Sequence, residues 1–178
     1  MQISVYIATS LDGFISRKNG DIDWLMNAYD EKDEEDYGYE EFMKEVTCLV
    51  MGRNTYEKII SFSQWPYNTK RVIVLSHTNS IVPDFIKGNV EFFNGTAKVL
   101  VKKLQQENEK KVYVDGGITI QSFIKEGLVD DFTITTIPVV IGEGRPLFSI
   151  LKKDLKLELI QSKSYNNHFV QSKYKCIR

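Results

Sequence analysis

A chain of 178 residues, 42% hydrophobic and 26% charged, has the size and make-up of one globular domain with its own core. Its 23 Lys and Arg against 24 Asp and Glu leave a formal net charge of -1. That balance excludes the basic footprint of a nucleic-acid binder and gives no attraction to an anionic membrane. The opening MQISVYIATS is apolar for one strand length, without a basic lead or a membrane-length apolar run, so neither a signal peptide nor a transmembrane helix is expected.

Residues 2 to 8 (QISVYIA) alternate as a strand, with Ile3, Val5 and Ile7 on its buried side. A long loop, TSLDGFISRKNGDIDW, follows, punctuated by the turn dipeptides Asp12-Gly13 and Asn19-Gly20. Loops of that length inside a compact domain usually carry function. The acidic run 30 to 41 (DEKDEEDYGYEE) reads as a solvated helix face. From Glu31 it leads into a helix ending near Val46, with Tyr39, Phe42 and Val46 on one face. Cys48 to Met51 is a continuous apolar run, the mark of a strand buried on both sides. Gly52 stops it, and Asn54 or Thr55 caps the next helix.

Residues 71 to 75 (RVIVL) form another buried strand, with Ser76 and His77 at its carboxyl end. After a short strand from Val90 to Phe93, Thr96 caps a helix carrying Ala97, Leu100, Val101 and Leu104 on its apolar stripe. The most organised stretch is 111 to 137: a strand, Gly116-Gly117, a helix with Ile120, Phe123 and Ile124 on one face, and a strand from Phe132 to Ile137. This reads as a βαβ crossover joining a parallel pair. The glycines stand where a helix N-terminus offers free N–H groups and a positive dipole end to a phosphate. The pattern is neither a full G-x-G-x-x-G fingerprint nor a P-loop. An irregular PVVIGEGRPLF loop precedes two strands, 155 to 163 and 168 to 177, joined by a turn at Tyr165-Asn166-Asn167.

Cys48 and Cys176 sit in apolar or strand-like contexts and read as buried free thiols in a reducing compartment, here the cytoplasm. His77 and His168 share no ligand spacing with each other or the cysteines, so no metal site is expected.

The motifs IATSLDGFI (7 to 15), VMGRNTYE (50 to 57), VLS (74 to 76), VDGG (114 to 117) and TIPVVIGEGRPLF (136 to 148) together resemble the dihydrofolate reductase superfamily. The last of them resembles most the branch that contains the C-terminal reductase domain of riboflavin biosynthesis, RibD. The resemblance spans nearly the whole chain. It implies a single α/β domain over residues 1–178 with a three-layer, dihydrofolate reductase-like fold: a mixed, mainly parallel central sheet flanked by helices, with a C-terminal antiparallel hairpin.

It also implies an NADPH-dependent oxidoreductase that transfers hydride to a small heterocycle, 5-amino-6-(5-phosphoribosylamino)uracil or a relative of it, and assembles as a homodimer. Ala8 and Ile15 would touch the nicotinamide end. Gly52, Arg53, Asn54 and Thr55 would hold the phosphates. Leu75, Ser76 and His77 would lie at the adenosine, and Gly116, Gly117, Ile118, Thr119 and Ile120 at the pyrophosphate and nicotinamide. On the substrate side the resemblance points to Asp12, Trp24, Asp36, Phe42 and Thr135. An ungapped count from VMGR puts Asp36 at the pterin-gripping acid position; counting one turn back from Phe42 puts Gly38 there. No side chain is assigned as catalytic. The alternatives are a dihydrofolate reductase proper and a non-catalytic NADPH-binding protein.

Overall fold

The computed structural model describes residues 1–28, 35–62, 64–67, 69–78, 80–165 and 168–177. The fold is mixed α/β, with mainly parallel strands, helices between them and a C-terminal antiparallel hairpin. By contact density it divides into two units. The first comprises residues 1–3 and 45–128, the second 4–44 and 129–178. Among the described residues no helix is long and apolar enough to cross a membrane.

The first unit is built on four parallel strands, β3 (Cys48–Gly52), β4 (Arg71–Leu75), β5 (Val90–Phe93) and β6 (Lys111–Asp115), in the order β5-β4-β3-β6. Three helices alternate with them: α3 (Arg53–Ile60), α4 (Ala97–Gln106) and α5 (Gly117–Lys125). The apolar run of β3 is fully buried from Cys48 to Met51, as expected of a strand covered on both faces. Thr96 caps α4, its hydroxyl accepting from Val99 N at 3.3 Å. The stripe Ala97, Leu100, Val101 and Leu104 is buried as its spacing requires. At the amino ends of the strands the Arg71 guanidinium pairs with Glu91, with Glu107 at 2.8 Å and with Glu109 at 2.9 Å. Burial pushes the Cys48 thiol up to about 12, so it is an inert core group.

The second unit contains β1 (Gln2–Ser10) from Ser4 onward, β7 (Asp131–Ile137), β9 (Leu157–Ser164) and β10 (Val170–Cys176), in the order β1-β7-β10-β9. β1 and β7 run parallel; β10 is antiparallel to both β7 and β9. A short pair, β2 (Phe14–Ser16) with β8 (Arg145–Pro146), ties the first long loop to the PVVIGEGRPLF segment. Among the described residues two helices complete the unit, α1 (Asp23–Met26) and α2 (Tyr39–Glu45).

The structure departs from the sequence pattern at several points. The crossover from β6 does not end in a β6–β7 pair, because β7 spends its two edges on β1 and β10. β1 is not a half-buried alternating strand at its start: Ser4 is as buried as Ile3 and Val5, and its hydroxyl donates to Asp131 at 3.0 Å. Helix α2 runs from Tyr39 to Glu45, and Asp36 and Gly38 (φ +84°) make the turn that precedes it. Residues 30–34 of the acidic run, and Asn166 and Asn167 of the hairpin turn, lie outside the described residues. Neither Asn54 nor Thr55 caps α3; its N-cap is Gly52, and among the described residues no side-chain cap bond is made there.

Candidate functional site

Two strand–glycine–helix junctions stand side by side in the first unit, because β3 and β6 are direct parallel neighbours. Gly52 ends β3 and opens α3; Gly116 follows β6 and opens α5. Gly116 has φ +83° and ψ 130°, a conformation that side chains resist. A Cβ on it would overlap Thr55 Oγ1 of α3. In the reciprocal direction, a Cβ on Gly52 would come within 2.9 Å of Thr119 Oγ1 of α5. Each glycine thus makes room for a threonine of the other junction, and the two helix starts interlock. Among the described residues no side chain caps either helix, which leaves the N–H groups of both first turns open to a ligand. Two uncapped N-termini with positive dipole ends make a place for phosphate oxygens.

Arg53, half exposed at the start of α3, adds a cation: Nη1 donates to Thr78 Oγ1 at 2.7 Å and Nε lies 3.5 Å from Glu57. Ser76 follows β4 and its hydroxyl donates to Thr78 O, while Thr78 N donates back to Ser76 Oγ at 3.2 Å. His77 Nδ1 pairs with Asn94 Oδ1 at 2.8 Å. Leu75 ends β4 half-buried. Ile118 is exposed on the first turn of α5, whereas Thr119 and Ile120 are buried. Asn54 is exposed and Thr55 half-buried. The structure therefore groups Gly52, Arg53, Asn54 and Thr55 with Ser76 and His77 on one side, and with Gly116 to Ile120 on the other. Thr78 and Asn94 belong to this polar group and were not anticipated, since loop hydroxyls and amides carry no periodic signal.

At the end of β6, Asp115 is half-buried, and desolvation of its carboxyl raises its pKa above the ordinary value. The Gly116 N–H at 2.7 Å and the Tyr67 hydroxyl partly offset that desolvation.

In the second unit Asp12 is bound up in the scaffold. Oδ1 accepts from Ser10 Oγ at 2.6 Å and from Ile141 N at 3.3 Å, and Oδ2 accepts from Gly142 N at 2.8 Å. These bonds, the Ser10 hydroxyl foremost, hold its pKa below 3.8. They also join the SLDGF motif to the VVIGEG motif. Asp36 is engaged in a similar way: its two oxygens accept from Gly38 N and Glu40 N, each at 2.9 Å, at the start of α2. The residue one turn before Phe42 is Gly38, whose carbonyl accepts from Phe42 N at 3.1 Å. Phe42 is half-buried, its ring 4.9 Å from that of Tyr6. Trp24 is buried in a cluster with Tyr37, Ile137 and Phe169, against which Ala8 also packs. Ala8 stands opposite Thr135 in the β1–β7 ladder. Ile15 lies half-buried on β2. Thr135 is buried and accepts from Gln171 Nε2 at 3.0 Å. Gln171 and Tyr6 were missed from sequence. The only available signal was a polar side chain opposite Thr135, and that register exists only once β10 pairs with β7.

The profile of the RibD C-terminal domain matches residues 2–171. The chain is 36% identical over 175 residues to the uncharacterized protein YwjB of Bacillus subtilis, covering 94% of this chain and 97% of that one. Over 182 residues it is 30% identical to YyaP of the same organism, covering 97% and 94%. Among solved structures, a candidate riboflavin biosynthesis protein from Shewanella sp. PV-4 superposes with a TM-score of 0.92 at 38% identity over the full length of both chains. A bifunctional deaminase and 5-amino-6-(5-phosphoribosylamino)uracil reductase from Thermotoga maritima shares the fold at a TM-score of 0.71 and 13% identity, this chain covering 56% of it. With the profile spanning nearly every residue and full-length relatives above 30% identity, the chain belongs to the RibD C-terminal domain family.

Proposed function

We propose that the protein is an NADPH-dependent reductase of a small nitrogen heterocycle, related in activity to 5-amino-6-(5-phosphoribosylamino)uracil reduction. The observation that carries this reading is the interlocked pair of uncapped helix starts, Gly52–Thr119 and Gly116–Thr55, with Arg53 beside it. The open N–H groups of α3 and α5 suit the diphosphate, and the small Gly52 and Gly116 allow close backbone approach. Arg53 presents a planar fork matched to a further phosphate, with Ser76 and Thr78 as neighbouring hydroxyls. That extra phosphate distinguishes NADPH from NADH. When bound, the cofactor supplies a hydride. The chain then has to hold the acceptor ring and exclude competing geometries, work that needs no nucleophile.

On the second unit, Ala8, Trp24 and Thr135 offer one face for the ring. Dihydrofolate suits this face poorly. Gly38 occupies the turn before Phe42, and the Asp36 carboxylate already serves two backbone N–H groups.

The test is equilibrium binding of NADPH and NADH, with Arg53→Ala beside the wild type. The expected result is NADPH preferred by roughly tenfold or more, and most of that preference lost in the variant. Equal affinity for the two dinucleotides in the wild type refutes the assignment. Turnover follows on the same preparation, with dihydrofolate and the ribosylaminopyrimidine compared side by side; oxidation of NADPH by the latter alone is expected.

A further inference from the structure

The ladder registers set Ala8 opposite Thr135, and Thr135 opposite Gln171. The three side chains therefore form a row across one face of β1, β7 and β10, and Tyr6, two residues before Ala8, shares that face. Gln171 Nε2 lies 3.0 Å from each of three oxygens: Tyr6 Oη, the Tyr37 carbonyl and Thr135 Oγ1. An amide oxygen could not face the Tyr37 carbonyl, so the amine does. Tyr6 Oη also donates to that carbonyl, at 2.6 Å. With the carbonyl already served, the two amide hydrogens are available to the Tyr6 and Thr135 hydroxyl oxygens. On the other side of the amide, Gln171 Oε1 accepts from Tyr165 Oη at 3.4 Å.

The consequence falls on Thr135. Its oxygen is an acceptor in this network, and its own O–H has no acceptor among the described residues. A second donor in the same state belongs to Trp24. The Trp24 indole N–H is buried, on a residue only 5% exposed, and has no partner among the described residues. Trp24 packs in one cluster with Ala8 and Ile137. Ala8 is the ladder partner of Thr135, and Ile137 is the next residue on the same face of β7. Two donors that lack acceptors among the described residues are thus tied to one short stretch of β7, one carried on the strand and one packed against Ala8 and Ile137. Buried donors of this kind discriminate strongly between ligands, because a ligand without an acceptor leaves them unpaired.

We propose that Gln171 is a specificity-determining residue of this face. It commits the Thr135 oxygen as an acceptor and so leaves Thr135 and Trp24 as a pair of donors. That pair selects a ring with an uncharged acceptor, such as the carbonyl of a lactam-type heterocycle, over a protonated, amino-substituted ring. This deepens the reductase reading and rests on it for the identity of the ligand-bearing face.

The experiment is calorimetric titration of the full chain with two probes, 5,6-diaminouracil as the lactam and 2,4-diaminopyrimidine as the readily protonated ring. Wild-type protein is expected to bind the lactam at least about tenfold tighter. Gln171→Glu replaces the donating amide by a carboxylate onto which the Thr135 and Tyr6 hydroxyls turn, and is expected to reverse the preference. Gln171→Met keeps the shape without the polarity and is expected to abolish it. A purely packing role for Gln171 would weaken both probes alike and leave their ratio unchanged, which overturns the proposal. Equal or inverted affinities in the wild type, or no binding of either probe, also overturn it. If neither variant folds, the wild-type ratio decides. NADPH titrated into the same samples separates the two ideas: loss of cofactor binding with the probe preference intact sinks the reductase reading and leaves the role of Gln171 standing.

Discussion

The Asp12 side chain shows how much one carboxylate can organise. Its bonds to Ser10, Ile141 and Gly142 fasten the first long loop to the loop after β7, and Leu11 N donates to Val139 O at 2.8 Å alongside. An Asp-Gly dipeptide announces a turn, and Gly13 does adopt φ +83°. What the dipeptide does not announce is that the carboxylate reaches a segment about 130 positions further along the chain. Both Asp12 and Asp36 are held below the ordinary value of 3.8 by the donors they accept from. A carboxylate whose folded-state pKa is depressed contributes stability that is present above the unfolded value and lost as pH falls through the folded one. Melting temperature is therefore expected to drop as pH is lowered below 3.8. Asp12→Asn, which keeps the shape and loses the charge, should melt lower near neutral pH and show a shallower acid slope. An unchanged slope in the variant would mean that Asp12 contributes nothing to acid sensitivity.

The two strand–glycine–helix junctions work as a pair. Each was visible in the sequence as an apolar run, a glycine and a helical stripe. Their interlock was not, because it depends on β3 and β6 becoming neighbours although α3, β4, β5 and α4 intervene in the chain. The same pairing explains why α3 has no cap of its own: Thr55, a capping candidate on composition, is turned to pack on Gly116. Gly116→Ala should consequently be severe. It adds a Cβ against Thr55 Oγ1 at a residue with φ +83°, a combination expected to cost on the order of 1–3 kcal/mol. Chemical denaturation measures it directly. Thr55→Ser in the same background removes only a methyl and leaves the hydroxyl oxygen in place, so it should recover little, whereas Thr55→Ala should recover part of the loss.

For the whole molecule, the consequential surface is the edge of the hairpin. Among the described residues β9 pairs with β10 on one side only and closes its strand order. It exposes Leu159 at 56% and Ile160 at 53%. An edge strand with apolar side chains is a template for another strand, and a second copy of the chain meeting it there is the homodimer we propose. Light scattering is expected to return twice the monomer mass at micromolar concentration. Leu159→Lys should shift it to the monomer while leaving NADPH binding intact. A wild-type monomer under those conditions would remove the idea.

Sequence alone determined much of the element inventory, because local rules act within a few residues: the buried run of β3, the stripe and Thr96 cap of α4, the Gly116 break before α5, and a strand of alternating apolar residues and threonines from Phe132 to Ile137. The family was legible for the same reason, since its motifs are short and sit at strand ends. Only the tertiary structure decided which elements meet. It gave β7 the partners β1 and β10, set Gln171 opposite Thr135, turned Asp36 into a helix-start acceptor, and made Gly52 and Gly116 serve each other's threonines. Those facts depend on strand register and on contacts between distant residues, and a pattern read with a period of two or 3.6 carries no information about either.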